Sequence, residues 1–248
     1  MIDTHAHLDA CADRPSALIR RARSVGVDRI VTVGTGIESC RAALELSQLH
    51  EEVFAALGID PHQAGEPEAG RVDELRNLLE DDKAVAVGET GLDYFRDRGG
   101  RDQQRKLFEA QLDLAAELGK PVVIHTREAD ADTADVLAGF DGTVVMHCFS
   151  SPGLLQTVVD RGYYVSFAGN VTFPKAGDLR AAAAQVPAER ILAETDSPYL
   201  APQTRRGRPN EPANVVLTIA ELAKARGGDA DELAAQIDAN ATAAFSLP

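Results

Sequence analysis

The sequence predicts an α/β protein, a single-domain (β/α)8 or TIM barrel, and three observations favour this fold. Eight short apolar runs alternate with helix-like amphipathic runs along the chain. The length of 248 residues matches the ~250 residues typical of such a barrel. The runs are apolar along their whole length, as in a parallel sheet covered on both faces. A doubly wound open sheet is the alternative that this pattern leaves open.

The predicted strands are short runs rich in Val, Ile and Ala, each followed by a turn or a polar residue. In chain order they are Ile2–His7, Arg29–Gly34, Val53–Ile59, Ala84–Glu89, Val122–His125, Thr143–His147, Tyr163–Phe167 and Ile191–Glu194.

The predicted helices are the amphipathic runs between these strands. They are Pro15–Val25, Ile37–His50, Arg71–Glu80, Gln103–Leu118, Glu128–Leu137, Pro152–Asp160 and about Ala176–Ala184, with Glu211–Arg226 and Asp231–Ala244 after the last strand. The irregular segments Asp93–Gly100 and Ala201–Pro212 are candidate functional loops, since both are rich in Arg, Gly or Pro. One domain is expected to span residues 1–248.

Composition narrows the class of protein. The net charge of −14 argues against a basic protein that coats DNA or a membrane surface. It leaves room for a phosphate-bearing substrate, because bound divalent cations reverse the sign of the charge within one cleft. The three cysteines lack a C-x-x-C spacing, which favours a cytoplasmic protein. The sequence shows neither a leader-like start nor a ~20-residue apolar run, so we expect no membrane partner. A monomer is favoured.

Ligand-type side chains lie at the ends of the predicted strands. His5 and His7 are two residues apart on the first strand and therefore point the same way. The others follow later strands, and the full set is His5, His7, Glu89, His125, His147 and Asp196. In barrels of this type the C-terminal ends of the strands form the active-site face, so these side chains are expected to meet there.

Four imidazoles and two carboxylates exceed what one catalytic zinc with an open position needs, and they suit two divalent ions. The mixed N and O donors leave Mg, Mn and Zn open. Glu89 can bridge two ions, and Asp196 can ligate an ion and accept a proton from an attacking water, so both are candidate catalytic residues. The chain carries no phosphate-loop or dinucleotide-binding glycine signature, and no nucleotide cofactor is expected.

At these residues the chain resembles the TatD family of metal-dependent hydrolases, within the amidohydrolase-like barrels. The matching segments are Asp3-Thr4-His5-Ala6-His7-Leu8, Gly88-Glu89-Thr90-Gly91-Leu92-Asp93-Tyr94, Pro121-Val122-Val123-Ile124-His125-Thr126-Arg127, His147-Cys148-Phe149-Ser150, Glu194-Thr195-Asp196-Ser197-Pro198-Tyr199-Leu200 and Arg208-Pro209-Asn210-Glu211-Pro212. The resemblance implies a TIM barrel, a deoxyribonuclease that trims DNA ends, and metal roles for the six candidate ligands. Asp60 stands where the family usually has the first His of Gly-x-His-Pro-His, and Pro209 separates Arg208 from Asn210.

Four further residues are candidate substrate contacts: His62, Arg127, Arg205 and Arg208. A basic cluster beside a metal centre is what a phosphate backbone requires. Tyr94 and Phe95 are expected to pack their loop rather than to stack on a base. Strand alternation predicts that Cys148 points away from the site.

Three functional hypotheses follow. The leading one is a two-metal 3′–5′ exonuclease whose activated water cleaves phosphodiester bonds in DNA, in single strands or frayed ends. The second is a carbonyl-ester hydrolase, for a lactone or an aminoacyl ester, because two ions polarise a carbonyl equally well. The third is a non-catalytic nucleic-acid binding module stabilised by metal.

Overall fold

The computed structural model describes residues 1–248 and contains one sheet of eight parallel strands in sequential order. The strands are β1 (Ile2–Ala6), β2 (Arg29–Gly34), β3 (Val53–Leu57), β4 (Ala84–Asp93), β5 (Val122–Arg127), β6 (Val144–Met146), β7 (Tyr164–Phe167) and β8 (Ile191–Ala193). Every neighbouring pair from β1–β2 to β7–β8 is parallel.

Nine α-helices accompany the strands. They are α1 (Pro15–Ser24), α2 (Ile37–Leu49), α3 (Val72–Leu79), α4 (Arg101–Leu118), α5 (Asp130–Leu137), α6 (Leu155–Asp160), α7 (Gly177–Gln185), α8 (Val215–Arg226) and α9 (Ala230–Phe245). Each of the first eight follows the strand of the same number, and α9 packs against β8 and β1. No helix is both long enough and apolar enough to cross a membrane.

Backbone contacts between the segment after β8 and β1 close the sheet into a barrel. Asp196 N donates to His5 O at 2.9 Å, and His7 N donates to Ser197 O at 2.7 Å. Nearer the other end of the seam, Thr4 Oγ1 donates to Ala193 O at 3.0 Å. The closure and the sequential strand order confirm the barrel and exclude the open doubly wound sheet.

Strand β4 runs four residues beyond its predicted end, so Glu89 lies within the strand rather than at its tip. The extension pairs with a longer β5, in the register Thr90↔Ile124 to Asp93↔Arg127, after an irregularity between Val87 and Thr90. Gly91 permits the close approach, because a Cβ there would lie 2.0 Å from the carbonyl oxygen of His125. Asp93 is therefore a strand residue, and the irregular loop begins after it.

Two predicted helices begin later than expected. Residues Pro152–Leu154 form a 3-10 turn before α6, and Pro212–Asn214 form one before α8. In both segments a proline opens the turn, where its missing N–H removes no hydrogen bond. The remaining element bounds differ from prediction by at most two residues.

Candidate metal centre

The six candidate ligands meet at the C-terminal mouth of the barrel. His5 lies on β1 and His7 directly after it, while Glu89 lies on β4 and His125 on β5. His147 directly follows β6, and Asp196 lies three residues after β8. The hydrogen bond between Asp196 N and His5 O fixes Asp196 beside the end of β1. Closure of the barrel therefore brings His5 and Asp196 together, although they lie far apart in the sequence.

The donor atoms form two groups that share His5: His5, Glu89 and His147 in one, and His5, His7 and Asp196 in the other. The donor atoms within each group lie within 4.8 Å of one another. Nε2 of His5 lies 3.3 Å from Nε2 of His7, 3.5 Å from Oε2 of Glu89 and 3.9 Å from Oδ1 of Asp196.

The chemistry of these donors fits divalent cations. Two imidazole nitrogens pointing at each other over 3.3 Å, with carboxylate oxygens beside them, form an electron-rich cluster shielded from water. His5 is only 1 % exposed, and its Nδ1 atom has no hydrogen-bond partner. Each group offers the mixed N and O donors that Zn, Mn and related ions accept.

Glu89 presents its two oxygens to different ligand side chains. Oε1 lies 2.7 Å from Nδ1 of His125 and 3.5 Å from Nε2 of His147. Oε2 lies 3.5 Å from Nε2 of His5 and 3.9 Å from Nε2 of His7. Burial opposes ionisation of Glu89, but the surrounding imidazoles, His147 foremost, hold its pKa well below the ordinary value.

His125 is held between two carboxylates. Its Nδ1 faces Glu89, and its Nε2 lies 3.2 Å from Oδ2 of Asp93. The same Asp93 oxygen lies 3.6 Å from Nε2 of His62. Although burial opposes it, the hydrogen bond with His125 lowers the pKa of Asp93 to about 2, and its two carboxylate partners raise the pKa of His125 to about 9.

His147 is oriented by a residue that the sequence reasoning did not single out. Nδ1 of His147 donates to Oε1 of Glu194 at 2.8 Å, and the same oxygen accepts from the backbone N of Cys148 at 2.9 Å. This leaves Nε2 of His147 directed at Glu89. Glu194 could have been found in the sequence from its position two residues before the candidate ligand Asp196. Asp93 likewise lies four residues after the candidate ligand Glu89, on the same strand.

Asp3 is another buried carboxyl, two residues before His5 on β1. Oδ1 accepts from Thr195 N at 2.8 Å and Oδ2 accepts from Thr195 Oγ1 at 2.6 Å, so Asp3 fixes the segment that carries Asp196. Burial raises the pKa of Asp3 to about 8, while these hydrogen bonds act in the opposite direction. The alternation of β1 explains its place, since Asp3 and His5 share a face.

A cavity of about 850 Å³ opens above the donor groups. Its wall includes His62, whose role was predicted, together with Asp60 and Asp9. Its cationic side chains are Arg96 and Arg127. The cavity is thus acidic at the metal donors and carries positive charge on the β4–β5 side.

The four predicted substrate contacts divide into two pairs. His62 and Arg127 line the cavity, whereas Arg205 and Arg208 are exposed and lie outside its wall. The latter two occupy a turn in which Arg208 N donates to Arg205 O at 3.1 Å. Their role in substrate binding stays a prediction.

The expectation that Tyr94 and Phe95 both pack their loop is right only for Tyr94. Tyr94 is partly buried, and its hydroxyl donates to Asp132 Oδ2 at 2.6 Å. Phe95 is 56 % exposed. Cys148 also departs from prediction, because its φ of 45° breaks strand alternation and its side chain lines the cavity.

Known proteins share both the sequence and the fold. The TatD related DNase family matches residues 2–246. A protein of Mycobacterium tuberculosis named "Uncharacterized metal-dependent hydrolase TatD" is 39% identical, with 100% of this chain and 98% of that protein covered. A protein of Pantoea ananatis named "3'-5' ssDNA/RNA exonuclease TatD" is 38% identical, with 93% and 92% covered.

Among solved structures, YJJV, a TatD homologue from Escherichia coli K12, superimposes with a TM-score of 0.94 at 32% identity, covering 100% of this chain and 98% of that one. A TatD family hydrolase from Entamoeba histolytica has the same fold, with a TM-score of 0.88 at 22% identity over 99% and 97% of the two chains. The whole-length match, together with the convergent donor groups, identifies the chain as a member of the TatD family of metal-dependent hydrolases.

Proposed function

We propose that this protein is a 3′–5′ exonuclease that hydrolyses phosphodiester bonds of DNA with the help of two divalent ions. The observation that carries the proposal is the pair of donor groups that share His5 at the floor of a cavity whose cations are Arg96 and Arg127. A phosphodiester needs cations on both sides, for its non-bridging oxygens and for the oxygen that departs.

Glu89 would help to hold both ions in this proposal. Its Oε1 faces His125 and His147, and its Oε2 faces His5 and His7, so each oxygen belongs to a different set of imidazoles. Asp196 and His7 would help to hold one ion, while His147 and His125 would help to hold the other. When bound, the ions supply Lewis acidity toward the phosphate and lower the pKa of a coordinated water.

Asp196 is the proposed proton acceptor. Its Oδ1 lies 3.5 Å from Nε2 of His7, and its side chain lines the cavity where water and substrate meet. Water adds its hydroxyl to phosphorus, the bond to the 3′ oxygen breaks, and the water proton passes to an Asp196 oxygen before it reaches the departing oxygen. Hydrogen bonding to His7 and the charges of His147 and His5 outweigh burial and keep the pKa of Asp196 below its ordinary value.

Arg127 and Arg96 supply positive charge for the substrate backbone. Both belong to the β4–β5 side of the cavity, where the guanidinium groups can donate paired hydrogen bonds to phosphate oxygens. The rest of the chain is acidic, with a net charge of −14, so affinity for nucleic acid has to be local. The Pantoea ananatis relative is named as an exonuclease for single-stranded DNA and RNA, which supports the choice of substrate and polarity.

The experiment uses protein stripped of metal and a 5′-labelled single-stranded DNA, with Mg²⁺, Mn²⁺ and Zn²⁺ added back in turn. We expect a metal-dependent ladder of products shortened from the 3′ end, which is lost in His5→Ala and Asp196→Ala. His50→Ala is the matched control, because His50 is the one histidine of six that lies outside the site, at the end of α2.

The absence of cleavage with every metal, from folded and metal-loaded protein, would contradict the proposal. If the same protein instead hydrolysed a lactone or an aminoacyl ester, and the same two substitutions abolished that activity, the site would be assigned to carbonyl-ester hydrolysis. A product ladder that survives in His5→Ala would instead indicate a contaminating nuclease.

A further inference from the structure

We infer that Tyr199 and the stacked pair Phe95–Arg127 form two nucleobase platforms on opposite sides of the metal centre, so that the site engages unpaired bases on either side of the scissile phosphate. The inference rests on the proposed nuclease function and assigns the residues that select single-stranded substrate. Tyr199 and Arg127 line the cavity, and the rings of Tyr199 and Phe95 are two of the four large apolar side chains that the chain exposes.

Tyr199 is held rigidly beside one donor group. Its ring is 57 % exposed and lies edge-on to His7, with the ring centroids 5.8 Å apart. The backbone is fixed on both sides, because Tyr199 N donates to Asp196 O at 2.8 Å and Asn210 Nδ2 donates to Tyr199 O at 2.6 Å. A base on this ring would belong to a nucleotide whose phosphate reaches the site of His7 and Asp196.

The second platform is an arginine stacked on a phenylalanine. The guanidinium carbon of Arg127 lies 3.7 Å from the centroid of the Phe95 ring. Pairing of the extended strands fixes both residues, since Tyr94 N donates to Arg127 O at 2.9 Å. The pair offers a flat, cationic and aromatic surface, which binds a base by stacking while the same guanidinium attracts the backbone.

The barrel places the two platforms across the mouth from each other. Phe95 follows β4, and Tyr199 follows β8, and strands four apart in a closed eight-stranded barrel face each other across its axis. Glu89 and Asp196 come from the same two sides, and their oxygens lie 3.5 Å and 3.9 Å from Nε2 of His5. A strand that touches both platforms therefore passes directly over the donor groups.

Asn170 adds a polar side chain to the cavity wall, three residues after β7. Its Oδ1 is shielded from solvent without a hydrogen-bond partner. The neighbouring Gly169 packs against the segment after β8, because a Cβ there would lie 2.2 Å from Leu200 O. The ends of β7 and β8 therefore form one packed part of the wall that carries Tyr199.

The two platforms would favour single-stranded DNA over duplex DNA. Bases in a duplex are paired and stacked on one another, so they reach a protein ring only after the end has frayed. An unpaired base pays no such penalty and is accepted whatever its identity, because every base has a π-face. The platforms therefore predict preference for single strands without sequence specificity.

The test is single-turnover stopped-flow fluorescence with a single strand that carries 2-aminopurine at the 3′-terminal or the penultimate nucleotide. Stacking quenches 2-aminopurine, so we expect a rapid fall in fluorescence before product release in the wild type. Tyr199→Ala should abolish the fall for one of the two labelled positions, whereas Tyr199→Phe should retain it. Leu49→Ala is the matched control, since Leu49 is 68 % exposed at the far end of α2.

Steady-state kinetics give the second measurement. We expect Tyr199→Ala and Phe95→Ala each to raise KM for single-stranded DNA by about 5- to 100-fold, with a much smaller change in kcat, the range expected for loss of one base stack. The rise should be clearly smaller on an oligomer built only from tetrahydrofuran abasic units. Circular dichroism and metal content should match the wild type.

The outcomes separate the two proposals. Cleavage of DNA by the wild type without quenching, or with equal losses in Tyr199→Ala on normal and abasic strands, would overturn the platforms and leave the nuclease standing. If quenching depends on Tyr199 but the protein cleaves no phosphodiester, the base-binding site would stand and the proposed nuclease activity would be overturned.

Discussion

Glu194 holds the imidazole of His147 from behind, with Oε1 of the carboxylate 2.8 Å from Nδ1 of the ring. The contact fixes the tautomer of His147, because a ring that donates from Nδ1 presents a lone pair at Nε2. That Nε2 lies 3.5 Å from Glu89. Glu194 is 1 % exposed, so the interaction is protected from competing water.

Replacing Glu194 with glutamine should weaken metal binding. Residues that orient a metal-ligating histidine are typically worth 10- to 100-fold in metal affinity, and we expect Glu194→Gln to lose about that factor. The glutamine Oε1 can still accept from Cys148 N, so the barrel should fold normally. Competition titration with a chromogenic chelator measures the change, and Glu221→Gln on α8 is the control. Unaltered affinity would show that Glu194 serves the backbone of Cys148 alone.

Glu89 should matter more to metal content than any single histidine, because an imidazole nitrogen binds one ion, whereas the two oxygens of Glu89 face different imidazoles. We expect His7→Ala and His147→Ala each to lower the bound metal by about one ion per chain. Glu89→Ala should lower it toward zero. Metal analysis after equilibration and desalting, with folding checked by circular dichroism, gives the stoichiometry. Equal losses in all three variants would argue for one coupled site in place of two.

The strand order and most of the site follow from local sequence features. Eight apolar runs predict the barrel, and His5 and His7 are found through strand alternation alone. The extension of β4 was not predictable from periodicity, because it depends on Gly91 admitting the carbonyl of His125. Likewise, alternation does not anticipate the positive φ of Cys148, whose backbone N donates to the buried carboxylate of Glu194.

The partners of the ligands are harder to predict than the ligands. In the sequence Asp93 opens an irregular segment and Glu194 ends a predicted strand. Only packing decides that Asp93 faces His125 and Glu194 faces His147. For the arginines, closeness in sequence is a poor guide to position in the structure. Arg205 and Arg208 lie close in sequence to Asp196, yet the loop carries them outside the cavity wall.

Arg127 should contribute more to binding of nucleic acid than Arg205, since only Arg127 lines the cavity. For Arg127→Ala we expect a rise of about tenfold in KM for single-stranded DNA. The slope of log KM against log salt should become shallower by about 0.7, as for loss of one phosphate contact on a single strand. Arg205→Ala should change KM by less than twofold and leave the slope nearly unchanged. The reverse order of effects would place the substrate path along the turn after β8.

Asp60 should make stability depend on pH between about 4 and 7. Burial and the nearby charge of Glu89 raise the pKa of Asp60 to about 7, from an ordinary value of 3.8. The folded state therefore holds a proton that the unfolded chain releases at lower pH, so this contribution is complete below pH 3.8 and is lost as pH rises through 7. Asp60→Asn retains an oxygen for the hydrogen bond from His62 N, which is 3.1 Å in the wild type. In chelator, the variant should equal the wild type near pH 4 and exceed its free energy of unfolding by about 1–3 kcal/mol at pH 8, a range reduced because water reaches part of the side chain. Urea titrations of both proteins across this range measure the difference, with Asp82→Asn at an exposed position as the control. A constant difference from pH 4 to pH 8 would mean that Asp60 stays ionised in the folded protein.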